Sequence, residues 1–226
     1  MIRAWLSLAA WVLGAHLAAA QDYIETNGRL SDDDFYLLVA CGAPPGDPCQ
    51  DDIVRWSPSA ARNITIGITR IDDSFPRRNA RLILTALTTA GQEISALDAG
   101  VAFTTTDQSP DIQVLLMSHP ENSELRGTGI PGLDGNFIEA ARFQIWWDGN
   151  RHIRRGVIII TQHIRPRDIQ SVMLEEMVQS LGLTVDIRNP SYATSSIFSQ
   201  DSNTVTRLQG QDAMAVRRHY RTQRNR

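Results

Sequence analysis

The chain has 226 residues, 42% of them hydrophobic and 21% charged, with 7% aromatic and 2 Cys. These proportions exclude disordered, collagen-like and disulfide-dense classes and leave room for one domain with a sizeable core. The 22 basic residues, all arginine, stand against 25 acidic ones, a net charge of −3.

In chain order, the first twenty residues read as an address rather than as fold. Arg3 is followed by the almost wholly apolar run Trp5 to Leu17, and Ala18-Ala19-Ala20 precedes Gln21. That is the layout of a cleavable secretory signal peptide. The run is short for a spanning helix, which needs about 20 residues, and no later stretch is longer. The mature chain is therefore expected to begin at Gln21, periplasmic or secreted, with no transmembrane segment.

Residues 21–52 form an acidic N-terminal segment. Asp32-Asp33-Asp34 before Phe35 to Ala40 predicts a short capped helix leading into a cysteine loop. Cys41 and Cys49 bracket Gly-Ala-Pro-Pro-Gly-Asp-Pro, a turn-rich span that brings two thiols together in an oxidising compartment. A metal would need more ligands than two cysteines, and no histidine is near, so a structural disulfide is expected.

Residues 53–220 read as the main domain. Alternating Ile64, Ile66 and Ile68 predict a strand. Ser74 to Pro76 opens a helix with proline in its first turn, and Ala80, Ile83, Leu87, Ala90, Ile94 and Leu97 recur at spacings of three and four. Strands are expected over 101–106, 111–117, 143–148 and 157–162, the last two joined through Gly149-Asn150 as a hairpin. Trp146 and Trp147 then point to opposite faces, one toward core, the other an exposed anchor or covered by a loop. That loop, 126–136, holds four glycines but lacks the Gly-Lys-Thr ending of a phosphate cradle.

The informative stretch is Arg165 to Leu183, a helix started near Pro166 and Asp168 and stopped at Gly182. Ile169, Val172, Met173 and Met177 share one broad face, with Glu176 inside it and Glu175 and Gln179 at its edge. A carboxylate in an apolar stripe is paired, hydrogen-bonded, protonated or turned to a cleft. Ser191 to Ser202 offers hydroxyls without a nucleophile turn. Val216 to Arg226 carries five arginines and no acid; its last residues, 221–226, read as a solvated basic tail. Nucleic acid is not a natural partner for an exported chain.

The segment Glu175 to Asp186 resembles the zinc helix of the metzincins, whose pattern is H-E-x-x-H-x-x-G-x-x-H. Glu176 falls at the catalytic glutamate and Gly182 at the turn glycine, while the three metal positions fall on Glu175, Gln179 and Val185. Ser195-Ser196-Ile197-Phe198 resembles the methionine-turn segment, with Phe198 at the methionine. The upstream order, a strand, a long helix and three further strands, is similar too. The chain also resembles a family of uncharacterised bacterial envelope proteins, a domain of unknown function, with signature E-E-L-x-Q-x-L-G-L-x-N-D followed by Ser-Ile-Phe. It matches at Glu175, Glu176, Gln179, Leu181, Gly182, Leu183, Asp186, Ser196, Ile197 and Phe198, and departs at Met177 and Val185.

The resemblance implies an α+β fold: a single zincin-like domain of twisted mixed sheet, long packing helix, motif helix and C-terminal helix. Its departures imply the loss of zinc, since an amide and a valine replace strong ligands. No cofactor or metal is expected. The binding-cleft candidates are Glu175, Glu176, Gln179, Asp186, Ser196 and Phe198, with Glu176 the one candidate for catalysis. Three roles stay open for these residues: a structural strut, a cleft for an envelope protein or peptide, or hydrolysis with an unusual metal or none.

Overall fold

The computed structural model describes residues 23–221. The expected signal peptide, the cleavage at Gln21 and residues 222–226 of the basic tail lie outside the described residues. None of the helices described is long and apolar enough to cross a membrane.

The fold is α+β. A short strand β1 (Tyr23–Glu25) precedes helix α1 (Asp32–Cys41). The Ser31 hydroxyl accepts from the Asp34 N–H at 3.1 Å, and three aspartates sit in the first turn, where the helix dipole favours negative charge. Cys41, the last residue of α1, is disulfide-bonded to Cys49 with Cα atoms 5.2 Å apart. The Cys41 carbonyl also accepts from the N–H groups of Gln50 and Asp51, so the loop is closed by main chain as well. Replacing both cysteines by serine is expected to cost about 2.5 kcal/mol, the chain-entropy value for so short a loop. A urea melt measures it. Intact mass should also show no alkylation until reductant is added.

The central sheet follows: β2 (Arg55–Trp56), a one-turn helix α2 (Pro58–Ala61), β3 (Ile64–Ile71), α3 (Arg77–Ser95), β4 (Phe103–Thr105), β5 (Ile112–Met117), β8 (Ala141–Trp147) and β9 (His152–Thr161). A two-stranded ribbon, β6 (Ser123–Glu124) and β7 (Phe137–Ile138), lies between β5 and β8. The sheet order is β2-β9-β5-β3-β4, all parallel, with β8 antiparallel on the other side of β9. Four sheet strands, β4, β5, β8 and β9, thus separate the long helix from α4 (Ile169–Gln179). Then come β10 (Asp186–Arg188), paired with β1, and α5 (Gly210–Arg221).

Alternation along the strands divides the interior in two. Val114, Leu116, Ile158 and Ile160 face the main core with α3 and α4, while Leu115, Met117, Val157 and Ile159 face a smaller one. The glycine-containing loop covers that second face with Leu125, Leu133 and Ile138. Trp146 packs half-buried against it under the Arg155 guanidinium, 4.1 Å from the ring centroid, and Trp147 is exposed. Gly67 has no side chain because a Cβ there would stand 1.9 Å from the Thr106 carbonyl oxygen.

Two helix starts differ from expectation by cap chemistry. Pro76 stands just before α3 instead of within its first turn. Asp168 precedes α4, but its carboxylate pairs with Arg165 at 2.7 Å and caps no N–H. Helix α4 is also buried nearly all round, Leu174 and Val178 as fully as Met173 and Met177. Such a helix belongs to the interior, not to a surface with one apolar stripe.

Candidate functional site

The C-terminal end of α4 is held by groups from β2 and α5. The Trp56 indole donates to the Ser180 carbonyl at 3.0 Å and the Tyr220 hydroxyl to the Leu181 carbonyl at 2.7 Å. These satisfy carbonyls that a helix end otherwise strands. Beside them His219 donates from Nε2 to the Val54 carbonyl at 3.0 Å, and its Nδ1 accepts from the Tyr36 hydroxyl at 3.3 Å. Burial drives this neutral histidine down to about 3.

With its end anchored, α4 presents Val172, Glu175, Glu176 and Gln179 to a cleft of about 770 Å³ against the edge strand β8. Glu139, Arg142, Phe143 and Ile145 line the β8 side, and Val185 and Asp186 close the far end. Gln179 donates from Nε2 to Asp186 Oδ1 at 2.8 Å, which brings these two candidates together. Glu176 is 6% exposed and its Oε2 has no hydrogen-bond partner among the described residues. Burial first, then the Asp186 carboxylate, push Glu176 well above the usual carboxylate range, with Arg142 opposing. Glu175 is half-buried and moves the same way, through burial and then the charges of Asp186, Glu176 and Glu139. Glu175 thus lines the cleft beside the more deeply buried Glu176.

Two of the expected cleft residues are elsewhere. Ser196 and Phe198 are buried at 1% and 0% exposure and do not line the cleft. The Ser196 hydroxyl donates to Asp212 Oδ1 at 2.7 Å, the Ile197 N–H donates to Oδ2 at 2.8 Å, and Phe198 packs edge-on against Phe35 at 6.0 Å. They lock the Ser-Ile-Phe segment to α5 and α1. Asp212, buried there, is pushed up to about 7 although both hydrogen bonds favour its charged form.

The sequence reading missed Glu139, Arg142, Asp51 and Asp52, which also line the cleft. They come from a loop, an edge strand and the segment after the disulfide, and no shared motif links them. Among the described residues no three His, Cys, Asp or Glu side chains are gathered to hold a metal ion.

The model of a family of proteins of unknown function, DUF2927, matches residues 34–223. The chain belongs to this family. No curated protein matches it. The DUF2927 match runs from the first turn of α1 past the end of α5, so it takes in α4, β8 and β10 and every cleft residue but Tyr23.

Proposed function

We propose that this DUF2927 chain is an exported, non-catalytic binding or scaffolding module, built on a zincin-like framework whose metal ligands have been replaced. The observation that carries it is the state of the three presumed ligand positions. Gln179 directs its amide N–H to Asp186, Val185 offers no donor atom, and Glu175 shares a buried floor with a second carboxyl. A tetrahedral zinc site needs three strong protein ligands, and these residues do not fit one. The zincin-like part is supported by chain order, with strand, long helix and sheet strands leading to α4, and β8 as the antiparallel edge beside it. Export is supported by the N-terminal apolar run with its Ala-x-Ala site and by the disulfide.

A cleft of this kind keeps its walls when the metal is lost, because Trp56, Tyr220 and His219 hold α4 independently of any ion. Among the described residues β8 pairs on one edge only, which leaves its other edge for an extended segment. Elemental analysis after exhaustive dialysis tests the reading. The expected result is no stoichiometric zinc and no cleavage of general peptide substrates. About one tightly held zinc per chain, with chelator-sensitive peptidase activity, would replace the module by an enzyme. The triple variant Glu175→His, Gln179→His and Val185→His is expected to acquire zinc if the framework is zincin-like.

A further inference from the structure

Six carboxylic residues line the cleft against a single arginine: Asp51 and Asp52 after the disulfide loop, Glu139 before β8, Glu175 and Glu176 on α4, and Asp186 on β10. Asp52 is paired with Arg151 at 2.7 Å, and Arg142 donates to the Phe137 carbonyl at 3.0 Å. The floor stays rich in acceptors. At its centre Glu176 Oε2 is buried without a hydrogen-bond partner among the described residues. A buried carboxylate oxygen left so costs free energy, and a donor arriving from outside recovers it.

The walls are of the opposite character. Phe143, Ile145 and Val172 are apolar, and the exposed aromatics Phe137 and Trp147, 53% and 49% accessible, stand at the rim. An acidic floor under apolar walls and an aromatic rim suits a cation carried on an alkyl stem. We propose that the cleft takes the arginine or lysine side chain of a basic peptide segment, its cationic head meeting Glu175, Glu176 and Asp186. This rests on the binding-cleft reading and names the ligand class for it. A bare divalent ion fits less well, because Gln179 and Arg142 bring N–H donors into the same space. A guanidinium, planar with five donors, suits several carboxylate oxygens at once.

In the ligand-free cleft burial and the neighbouring carboxylates push the carboxyls of Glu175 and Glu176 well above their ordinary range. The Arg142 guanidinium opposes this from β8, while Asp186 and Glu139 reinforce it. A bound cation favours the charged carboxylates and lowers both again. Binding is therefore expected to release protons, seen as a calorimetric enthalpy that changes with the ionisation enthalpy of the buffer.

The test is titration calorimetry of the full mature chain at low salt and neutral pH. The probes are a blocked alanine peptide with one central arginine, the same peptide with neutral citrulline, and agmatine. The arginine peptide should bind at least about tenfold tighter than the citrulline peptide, the scale of a charge-assisted hydrogen bond. Glu176→Gln and Glu175→Gln should each reduce that preference while leaving a cooperative thermal transition. Equal binding of the two peptides overturns the cation site but leaves a binding cleft standing. No binding of any probe overturns it as well, whereas the broader reading is decided separately by zinc content. Agmatine as tight as the arginine peptide overturns the peptide as the source of the cation.

Discussion

Gly182→Ala is expected to be the most damaging small substitution in the chain. Gly182 has φ +102, and a Cβ there would lie 2.0 Å from the Val54 carbonyl oxygen and 3.0 Å from His219 Nε2. The backbone strain costs about 1–2 kcal/mol, and displacing main chain in a packed interior about 1–3 more. The obstruction also stands where His219 meets the Val54 carbonyl, a bond that ties α5 to the start of the domain. A total of about 3–5 kcal/mol is a large share of an ordinary domain's stability of about 5–15. Urea melts of the variant against Gly149→Ala measure it. Gly149 has no neighbour within 4 Å of a built Cβ and no positive φ, so that control should be near neutral. Equal midpoints for the two variants would mean that the α4 end is not seated on Val54 as described.

A thermal midpoint that rises as pH is lowered from about 8.5 toward 6.5 is the second large effect. Glu175, Glu176 and Asp212 are all raised in the folded chain, so the native state binds more protons than the unfolded one. Their stabilising contribution is complete below the unfolded values near 4 and is lost as pH rises through the folded ones, about 7 for Asp212. Asp212 alone corresponds to about 4 kcal/mol between pH 4 and 7, at 1.36 kcal/mol per unit, of which about 1 kcal/mol falls above pH 6.5. His219 works in the other direction. Lowered to about 3, it contributes stability above 6.5 that is lost as pH falls toward 3, so it offsets one of the three raised carboxyls and the rise should become shallower below 6.5. At still lower pH the depressed carboxyls of Asp72, Asp134 and Asp148 add to the loss. Glu176→Gln should keep the midpoint near pH 6.5 within a few degrees, the scale of about 1 kcal/mol, and lose part of the rise. A wild-type midpoint that falls between pH 8.5 and 6.5 would contradict the burial of these groups.

The two effects separate what holds the cleft from what the cleft contains. Gly182, His219 and Tyr220 secure α4 through its end, whereas Glu175 and Glu176 add repulsion on its floor. Stability is given up at the floor and recovered at the anchor, as is common where a site needs groups that a core would reject.

The local elements were legible in the sequence because they rest on short-range chemistry. Ser31 with three aspartates marks α1, alternating isoleucines mark β3, and spacings of three and four mark the face of α3 that packs on α4. The two cysteines predicted their own bridge, since a nine-residue span with three prolines returns on itself. The placement of Glu176 inside the apolar face followed from helical geometry alone. Tertiary structure alone decided the rest. Ser196 and Phe198 are near the motif helix in sequence, yet Asp212 and Phe35 draw them into the core on its far side. Glu175 read as an edge residue and is half-buried there, but a wheel cannot know that Glu139 and Asp186 will face that edge. Burial of a charge depends on what packs around it, and here those neighbours come from 36 residues before Glu175 to 11 residues after it. No window of local periodicity contains that information.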